Sequence, residues 1–270
     1  YEADIDVIPA DGPYIIVNEY ELSDEAAQLN FGDNAGFNIQ LKNVGNATAP
    51  AGTMTLSSES EYVNITDGTA EFTSINSNDI LDLSEAFAFT ISDEVPNKTS
   101  IAFTISISSG DDTYESYITM KAYAPVFQIG SVTITEIEGN GNGRLDPGER
   151  ISLEFPVTNR GNAASRETYM ELAMNNVFMQ ITSNPVITAN SIAVNETMTV
   201  AYEVYVGGAP SGFPAEYSLN VVSGVYTASE GFMSKIGLNV DNFETGVFNT
   251  TLWTNDLPYP WTFVTDDPYE

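Results

Sequence analysis

The chain repeats itself at a nearly fixed offset. Leu29-Asn-Phe-Gly-Asp33 matches Leu145-Asp-Pro-Gly-Glu149, and Asn43-Val-Gly-Asn-Ala47 matches Asn159-Arg-Gly-Asn-Ala163, each 116 positions later. Near the end of each copy the offset is 114, which indicates a short loop deletion between equivalent strands. The sequence therefore predicts two copies of one domain, copy one at 1–124 and copy two at 125–238. The apolar positions that match at 114 are Phe103, Ile105 and Ile107 with Tyr217, Leu219 and Val221.

Apolar and polar residues alternate within each copy. Examples are Ile101-Ala-Phe-Thr-Ile-Ser-Ile107 and Tyr202-Glu-Val-Tyr-Val206. A period of two is typical of antiparallel strands that bury one face, and turn signals such as Asp67-Gly68 and Ser223-Gly224 separate the runs. Several short strands per copy without a long helical stretch predict an all-β chain of two tandem immunoglobulin-like β-sandwiches.

The repeated Asn-x-Gly-Asn-Ala segment ends a strand in both copies. We expect Gly45 and Gly161 to supply a positive φ at a tight turn. The asparagine side chains are expected to cap the backbone of that turn.

A tail at 239–270 matches neither copy. It is too short to form a core by itself, so it is either an appended strand or the start of a third, jelly-roll domain. Its aromatic residues could stack on sugars or on a partner surface, or they could be core residues of an incomplete domain. These residues are Trp253, Tyr259, Trp261 and Phe263.

The composition excludes several classes of function. Eight Lys and Arg stand against 38 Asp and Glu, and a net charge of −30 repels nucleic acid and anionic lipid. The chain has no Cys and no His, which removes thiol nucleophiles, disulfides, the commonest general base and the commonest zinc ligand. No stretch reaches the ~18 apolar residues of a membrane span. Carboxylates are abundant enough that residue types alone leave a paired-acid glycosidase open, but we predict no enzymatic activity.

A loop in copy two has the spacing of a calcium site. Residues 138–149 read Glu-Gly-Asn-Gly-Asn-Gly-Arg-Leu-Asp-Pro-Gly-Glu, with oxygen-bearing side chains at loop positions 1, 3, 5, 9 and 12 and glycine at 6. This is a twelve-residue calcium-loop pattern between two strands, with Glu instead of Asp at its start. The alternative is a Gly/Asn-rich turn that holds no ion. The predicted ligands are Glu138, Asn140, Asn142, Arg144 through its backbone carbonyl, Asp146 and bidentate Glu149.

The corresponding segment of copy one lacks most of these oxygens. Leu22, Asp24 and Ala26 stand at loop positions 1, 3 and 5, and Ala27 replaces the glycine. We therefore predict no ion in copy one. In copy two we expect a structural calcium close to the boundary between the copies, where it would stiffen a two-domain rod.

The loop and the strand after it resemble a known group of modules. Gly139–Glu149 followed by Phe155-Pro-Val-Thr-Asn-Arg-Gly-Asn-Ala163 is similar to Ig-like modules of large secreted Bacteroidetes proteins, which often follow the catalytic domain of gingipain-type cysteine peptidases. Asp241-Asn-Phe-Glu-Thr-Gly246 resembles the start of their adhesin-like jelly-roll domain. The peptidase Cys and His have no counterpart in this chain. The resemblance covers copy two and the tail, and copy one only through the repeat.

Together these features predict a non-catalytic stalk and interaction module. The resemblance implies a place at the bacterial cell surface or outside the cell, beside neighbouring domains of a larger secreted protein; starting at Tyr1 without a methionine, the chain is expected to be a piece of a longer precursor. The alternative is an adhesin module that binds a glycan or a host protein, through the tail aromatics or an exposed sheet edge.

Overall fold

A computed structural model describes residues 11–23 and 28–238. Their regular structure consists of β-strands alone, and no helix long and apolar enough to cross a membrane occurs among them. The all-β prediction is confirmed. The predicted aromatic cluster of the tail and residues Asp24, Ala26 and Ala27 of the copy-one loop lie outside the described residues.

Copy one is a sandwich of two sheets. One sheet has the strand order β1-β3-β7-β5 and the other the order β2-β9-β8-β4-β6. The short β2 runs parallel to the end of β9, with Leu29 opposite Ala122, whereas the other pairs are antiparallel. The strands are β1 (Ile15–Leu22), β2 (Leu29–Asn30), β3 (Asn34–Asn43), β4 (Gly52–Ser57), β5 (Val63–Asp67), β6 (Thr69–Phe72), β7 (Ile80–Ile91), β8 (Thr99–Ser109) and β9 (Asp112–Tyr123).

Copy two repeats this arrangement. Its first sheet has the order β10-β12-β16-β14, with β11 also paired to β12, and its second sheet has the order β15-β13-β17-β18. A single parallel bridge between Leu145 and Ile236 takes the place of β2. The strands are β10 (Phe127–Ile129), β11 (Thr133–Glu138), β12 (Arg150–Asn159), β13 (Thr168–Met174), β14 (Met179–Ile181), β15 (Val186–Ala189), β16 (Thr197–Val206), β17 (Phe213–Ser223) and β18 (Tyr226–Ile236).

Both sandwiches have the immunoglobulin strand arrangement with one departure. In copy one, β1, β3, β7 and β5 occupy the places of strands A, B, E and D, and β4, β8 and β9 those of C, F and G. The departure concerns the two edge strands between C and E. The chain first crosses to lie beside E as β5 and then returns to lie beside C as β6, and β14 and β15 follow the same route in copy two.

Each sandwich has its own apolar core. Among the described residues no strand pair joins copy one to copy two, and Tyr123 ends the last strand of the first while Phe127 begins the first strand of the second. Aromatic rings fill the centre of copy one, where Phe37, Phe89 and Phe103 contact one another with centroids 4.9–5.2 Å apart. In copy two Phe155 packs on Phe232 at 5.1 Å. The alternating sequence pattern thus places its apolar set between the sheets.

The repeated glycines serve a purpose different from the predicted one. Neither Gly45 nor Gly161 has a positive φ, so that prediction is wrong. A Cβ at Gly161 would instead collide with the carbonyl oxygen of Ala124 and lie 2.5 Å from the Val126 nitrogen, and Gly45 is equally close to the residues that lead into β1. The glycines are required because two backbone segments cross there without room for a side chain.

Candidate calcium loop and module junction

The 138–149 loop connects β11 to β12, its antiparallel neighbour. A β-bulge at Ile137 interrupts the pairing, so that Glu136 lies opposite Ile151 and Glu138 lies opposite Arg150. Adjacent residues of β12 face opposite sides of the sheet, and each paired residue of β11 faces the same side as its partner in β12. The bulge therefore turns the side chains of Glu136 and Glu138 to different sides.

Glu138 does not join the other predicted ligands. Its Oε1 forms an ion pair with the Arg150 guanidinium at 3.2 Å, and its side chain is 69% exposed. Arg150 also contacts Glu203 at 2.8 Å. The carboxylate that faces the loop interior is that of Glu136, which accepts hydrogen bonds of 2.5 Å from the N–H groups of Gly141 and Gly143.

The backbone of the loop stabilises the ionised form of Glu136. The hydrogen bond from the Gly141 N–H is the main cause that holds the pKa of Glu136 below its ordinary value, and the Gly143 N–H acts in the same direction. Glu136 is thus a functional candidate that the loop pattern misses. The spacing rule starts counting at residue 138, and a bulge at the preceding residue leaves no signature in the pattern.

The side chains of three predicted ligands, Asn140, Asn142 and Asp146, converge. Asp146 Oδ2 accepts hydrogen bonds from the side-chain amides of Asn140 at 2.8 Å and Asn142 at 2.6 Å. The side-chain oxygens of the two asparagines accept the N–H groups two residues further on, at 3.1 Å for Asn142 and 2.8 Å for Arg144. Because a carbonyl oxygen has two lone pairs, each amide oxygen keeps one for another partner.

The buried side chain of Glu149 binds the backbone of the loop. It is 6% exposed, and its two carboxylate oxygens accept the N–H groups of Asn140 at 3.0 Å and Asp146 at 3.1 Å. A side chain at Gly139 would collide with the carboxylates of both Glu136 and Glu149, so these two acids approach the same stretch of backbone. The Arg144 side chain extends away from the loop, and its guanidinium contacts the Leu238 carbonyl oxygen at 3.5 Å.

The chemistry of the donor set fits a hard cation such as calcium. Nowhere in the described part of the chain do three or more Asp, Glu, His or Cys side chains gather as a metal-binding group. An ion in this loop would therefore need the amide oxygens of Asn140 and Asn142 beside the carboxylates of Asp146 and Glu149, with Glu136 as the nearest further acid. Oxygen ligands of mixed charge are the type that calcium accepts.

The loop lies at the end of copy two that is far from copy one. Leu145 bridges to Ile236, the last residue of β18, and the Gly237 N–H donates to the Leu145 carbonyl oxygen at 2.7 Å. Contacts to copy one come from the opposite end of β18, at Tyr226. The expectation that the loop lies near the boundary between the copies is therefore wrong.

A set of specific contacts forms the boundary between the copies, which we call the junction. Phe31 of copy one is 8% exposed and lies between two side chains of copy two. The Tyr226 ring packs edge-on against it at 5.1 Å, and the Arg166 guanidinium lies 4.8 Å from its centroid. Arg166 also forms an ion pair with Asp93 at 2.7 Å. Packing, a cation–π contact and an ion pair thus meet at one ring.

Polar contacts complete the junction. The Tyr226 hydroxyl donates to the Val95 carbonyl oxygen at 2.8 Å. Burial is the main reason why the pKa of Tyr226 rises to about 12. Asn162 of copy two accepts from Gln28 at its backbone oxygen (3.0 Å) and from Asn97 at its side-chain oxygen (3.2 Å). These hydrogen bonds join the two copies at the junction.

The junction residues are not part of the repeat. By the offsets of their surrounding strands, Pro147 and Gly208 stand at the places of Phe31 and Asp93. Likewise Pro50 and Asp112 stand at the places of Arg166 and Tyr226. The contact is therefore specific to the ordered pair of copy one followed by copy two.

Two depressions of the described surface lie on sheet faces. One of about 500 Å³ crosses β13, β17 and β18 above Ala173, Ser218 and Gly231. Another of about 240 Å³ on copy one includes Glu21 and Asp82, which accept hydrogen bonds from the amides of Asn38 and Gln40. Neither depression contains any part of the 138–149 loop.

Comparisons with known proteins identify no family and find only weak structural similarity. No protein-family model and no curated protein matches the chain. Among solved structures, a red sea bream transglutaminase is similar over 81% of this chain and 31% of its own, with 11% identity and a TM-score of 0.32. A trypsin-activated alpha-2-macroglobulin from Escherichia coli is similar over 83% and 18%, with 8% identity and a TM-score of 0.32. This chain spans less than a third of the length of either protein.

Proposed function

We propose that the chain is a non-catalytic spacer of a secreted or surface-attached bacterial protein, in which two sandwiches are held in one fixed orientation. The junction is the observation that carries this proposal. Flexibly linked modules need no interlocking side chains, whereas here Phe31 is enclosed by Arg166 and Tyr226 from the next module. Contacts that occur once in a repeated chain serve one particular arrangement of the two modules.

A structural calcium in the 138–149 loop belongs to the same proposal. The convergence of Asn140, Asn142 and Asp146 above the buried Glu149 supports it. Calcium sites of extracellular modules have dissociation constants of about 10⁻⁴–10⁻³ M, which suits the calcium concentration outside cells. The ion would order the end of copy two that faces away from copy one. Together with the resemblance to secreted modules, this supports an extracellular or surface location.

Small-angle X-ray scattering tests the spacer. The wild-type profile should fit a single arrangement of the two sandwiches, and the double variant Arg166→Ala/Tyr226→Ala should require a broad ensemble with unchanged individual modules. Arg150→Ala is the matched control, because it removes an arginine with two ion pairs that lie away from the junction. A wild-type profile that already needs a broad ensemble would contradict the proposal, as would a double variant that scatters like the control.

A further inference from the structure

The far end of copy two exposes the counterparts of residues that are covered in copy one. We call this surface the exit end and define it by Pro147, Val177, Pro210 and Leu238. In copy one Phe31 and Ala124 are 8% and 0% exposed. Their counterparts by position are Pro147, which is exposed, and Leu238, which is 40% exposed.

The segments that form the exit end lie close together. A Cβ at Gly237 would lie 3.5 Å from Pro147 and 3.6 Å from Ser211, which precedes the turn into β17. The rings of Phe178 and Phe213 contact at 4.8 Å beside it. Val177 next to Phe178 is 89% exposed. Exposed apolar residues gathered at one end of an acidic protein indicate a contact surface.

The exit end lacks two acids that copy one carries at the corresponding positions. Glu61 of copy one corresponds to Val177, and Asp93 corresponds to Gly208, so both acids are replaced by uncharged residues. A partner for the exit end therefore needs no arginine of the Arg166 type. It must instead supply apolar or aromatic side chains.

The segment 239–270 has that composition. It follows directly on Leu238 and contains the two tryptophans of the chain, Trp253 and Trp261, and no lysine or arginine. A second copy of the chain fits less well. Its free end would present Pro50 and Asp112 in place of Arg166 and Tyr226, so it offers no aromatic side chain at the position of Tyr226.

We propose that the exit end of copy two is the docking surface for residues 239–270, which cover Val177 and Leu238 as copy two covers copy one at Phe31. This inference goes beyond the spacer role, because it assigns a contact surface to a part of the molecule that the junction does not touch. It also gives the 138–149 loop a place next to that contact, through Pro147 and the Arg144 contact to Leu238.

Tryptophan fluorescence of the full chain tests the proposal, because both tryptophans lie in the segment and none lies in either sandwich. We expect wild-type emission at shorter wavelength than that of the denatured chain, with restricted quenching by acrylamide. Val177→Asp and Leu238→Asp should each shift the emission toward that of the denatured chain and restore quenching. Both positions are exposed, so the sandwich itself should keep its melting temperature.

Tyr117→Asp is the matched control, since Tyr117 is 73% exposed on an outer face of copy one. It should leave emission and quenching unchanged. Wild-type emission equal to that of the denatured chain overturns the proposal. So does a short-wavelength emission that neither exit-end variant alters, because the tryptophans are then shielded elsewhere. The junction double variant should not change the emission, which separates a failure here from a failure of the spacer.

Discussion

Asn43 and Asn159 stand 116 positions apart and make the same four hydrogen bonds. In copy two the side-chain amide of Asn159 donates to the carbonyl oxygens of Ala163 at 2.8 Å and Ile192 at 3.0 Å. Its oxygen accepts the N–H groups of Gly161 at 2.9 Å and Val126 at 3.2 Å. Both asparagines are 0% exposed. Each therefore closes one end of its sandwich by satisfying backbone groups that no strand pairs.

Replacing this asparagine by its acid should be costly. Asn159→Asp keeps the shape and the acceptor oxygen but removes both donors and places a charge beside two buried carbonyl oxygens. We expect a loss of at least about 3 kcal/mol in the free energy of unfolding of copy two. Denaturant unfolding measures it. The control Asn220→Asp, at a site where the side chain accepts from the Ser229 hydroxyl near the surface, should change the stability by less than about 0.5 kcal/mol.

The glycine beside it should be equally sensitive. Gly161→Ala places a Cβ against the Ala124 carbonyl oxygen and the Val126 nitrogen, and neither backbone group can move away alone. We expect a loss of about 1–3 kcal/mol. Gly231→Ala is the control in a strand of the same module, since a Cβ there meets nothing within 4 Å. It should be neutral or slightly stabilising, and equal effects of the two changes would refute the crossing-segment explanation.

Calcium should raise the melting temperature of the chain through the 138–149 loop. At about 10 mM calcium and the affinity of extracellular sites, the expected gain is about 1.4–2.7 kcal/mol. Glu149→Gln should abolish the gain. Glu136→Gln should reduce it strongly, whereas Glu138→Gln should preserve most of it, because Glu138 is occupied by Arg150. No calcium-dependent shift in the wild-type chain would leave the loop an ordinary turn.

Alkaline pH should weaken the chain through its buried tyrosines. Burial raises the pKa of Tyr226 to about 12 and that of Tyr202 further still. An unfolded tyrosine loses its proton near pH 10, so the unfolded state gains stability above that pH while the folded state cannot follow. The contribution of these two tyrosines to the free energy of unfolding is therefore fully present below pH 10 and is lost as the pH rises toward 12.

Replacing Tyr226 by phenylalanine isolates the effect of its ionisation on stability. Tyr226→Phe should flatten the decline of stability between pH 10 and 12, at the cost of the hydrogen bond to Val95 that holds at all lower pH values. A Tyr226→Phe chain with the wild-type slope would show that Tyr226 ionises freely in the folded state.

The sequence pattern predicts the fold but not the geometry of the 138–149 loop or of the junction. A period of two and a repeat offset are properties of the whole chain, and strands such as β8 (Thr99–Ser109) follow from them directly. The bulge at Ile137 is set by the fit of β11 to β12, so the turn of Glu138 toward Arg150 was not visible. The role of Gly161 depends on residues 124–126, which approach it only in three dimensions. The repeat does not predict the junction residues, because the two copies carry different residues at these positions.

The parallel contact that closes each sandwich also determines how the chain would carry tension. A pull along the chain draws the segment just before β3 or β12 and the last strand of the same module in opposite directions, so bonds between these parallel neighbours are loaded in shear. Copy one has two residue pairs there, Leu29 with Ala122 and Asn30 with Tyr123. Copy two has the single Leu145–Ile236 bridge. Fewer bonds therefore resist shear in copy two, and under tension we expect copy two to unfold first while copy one remains folded.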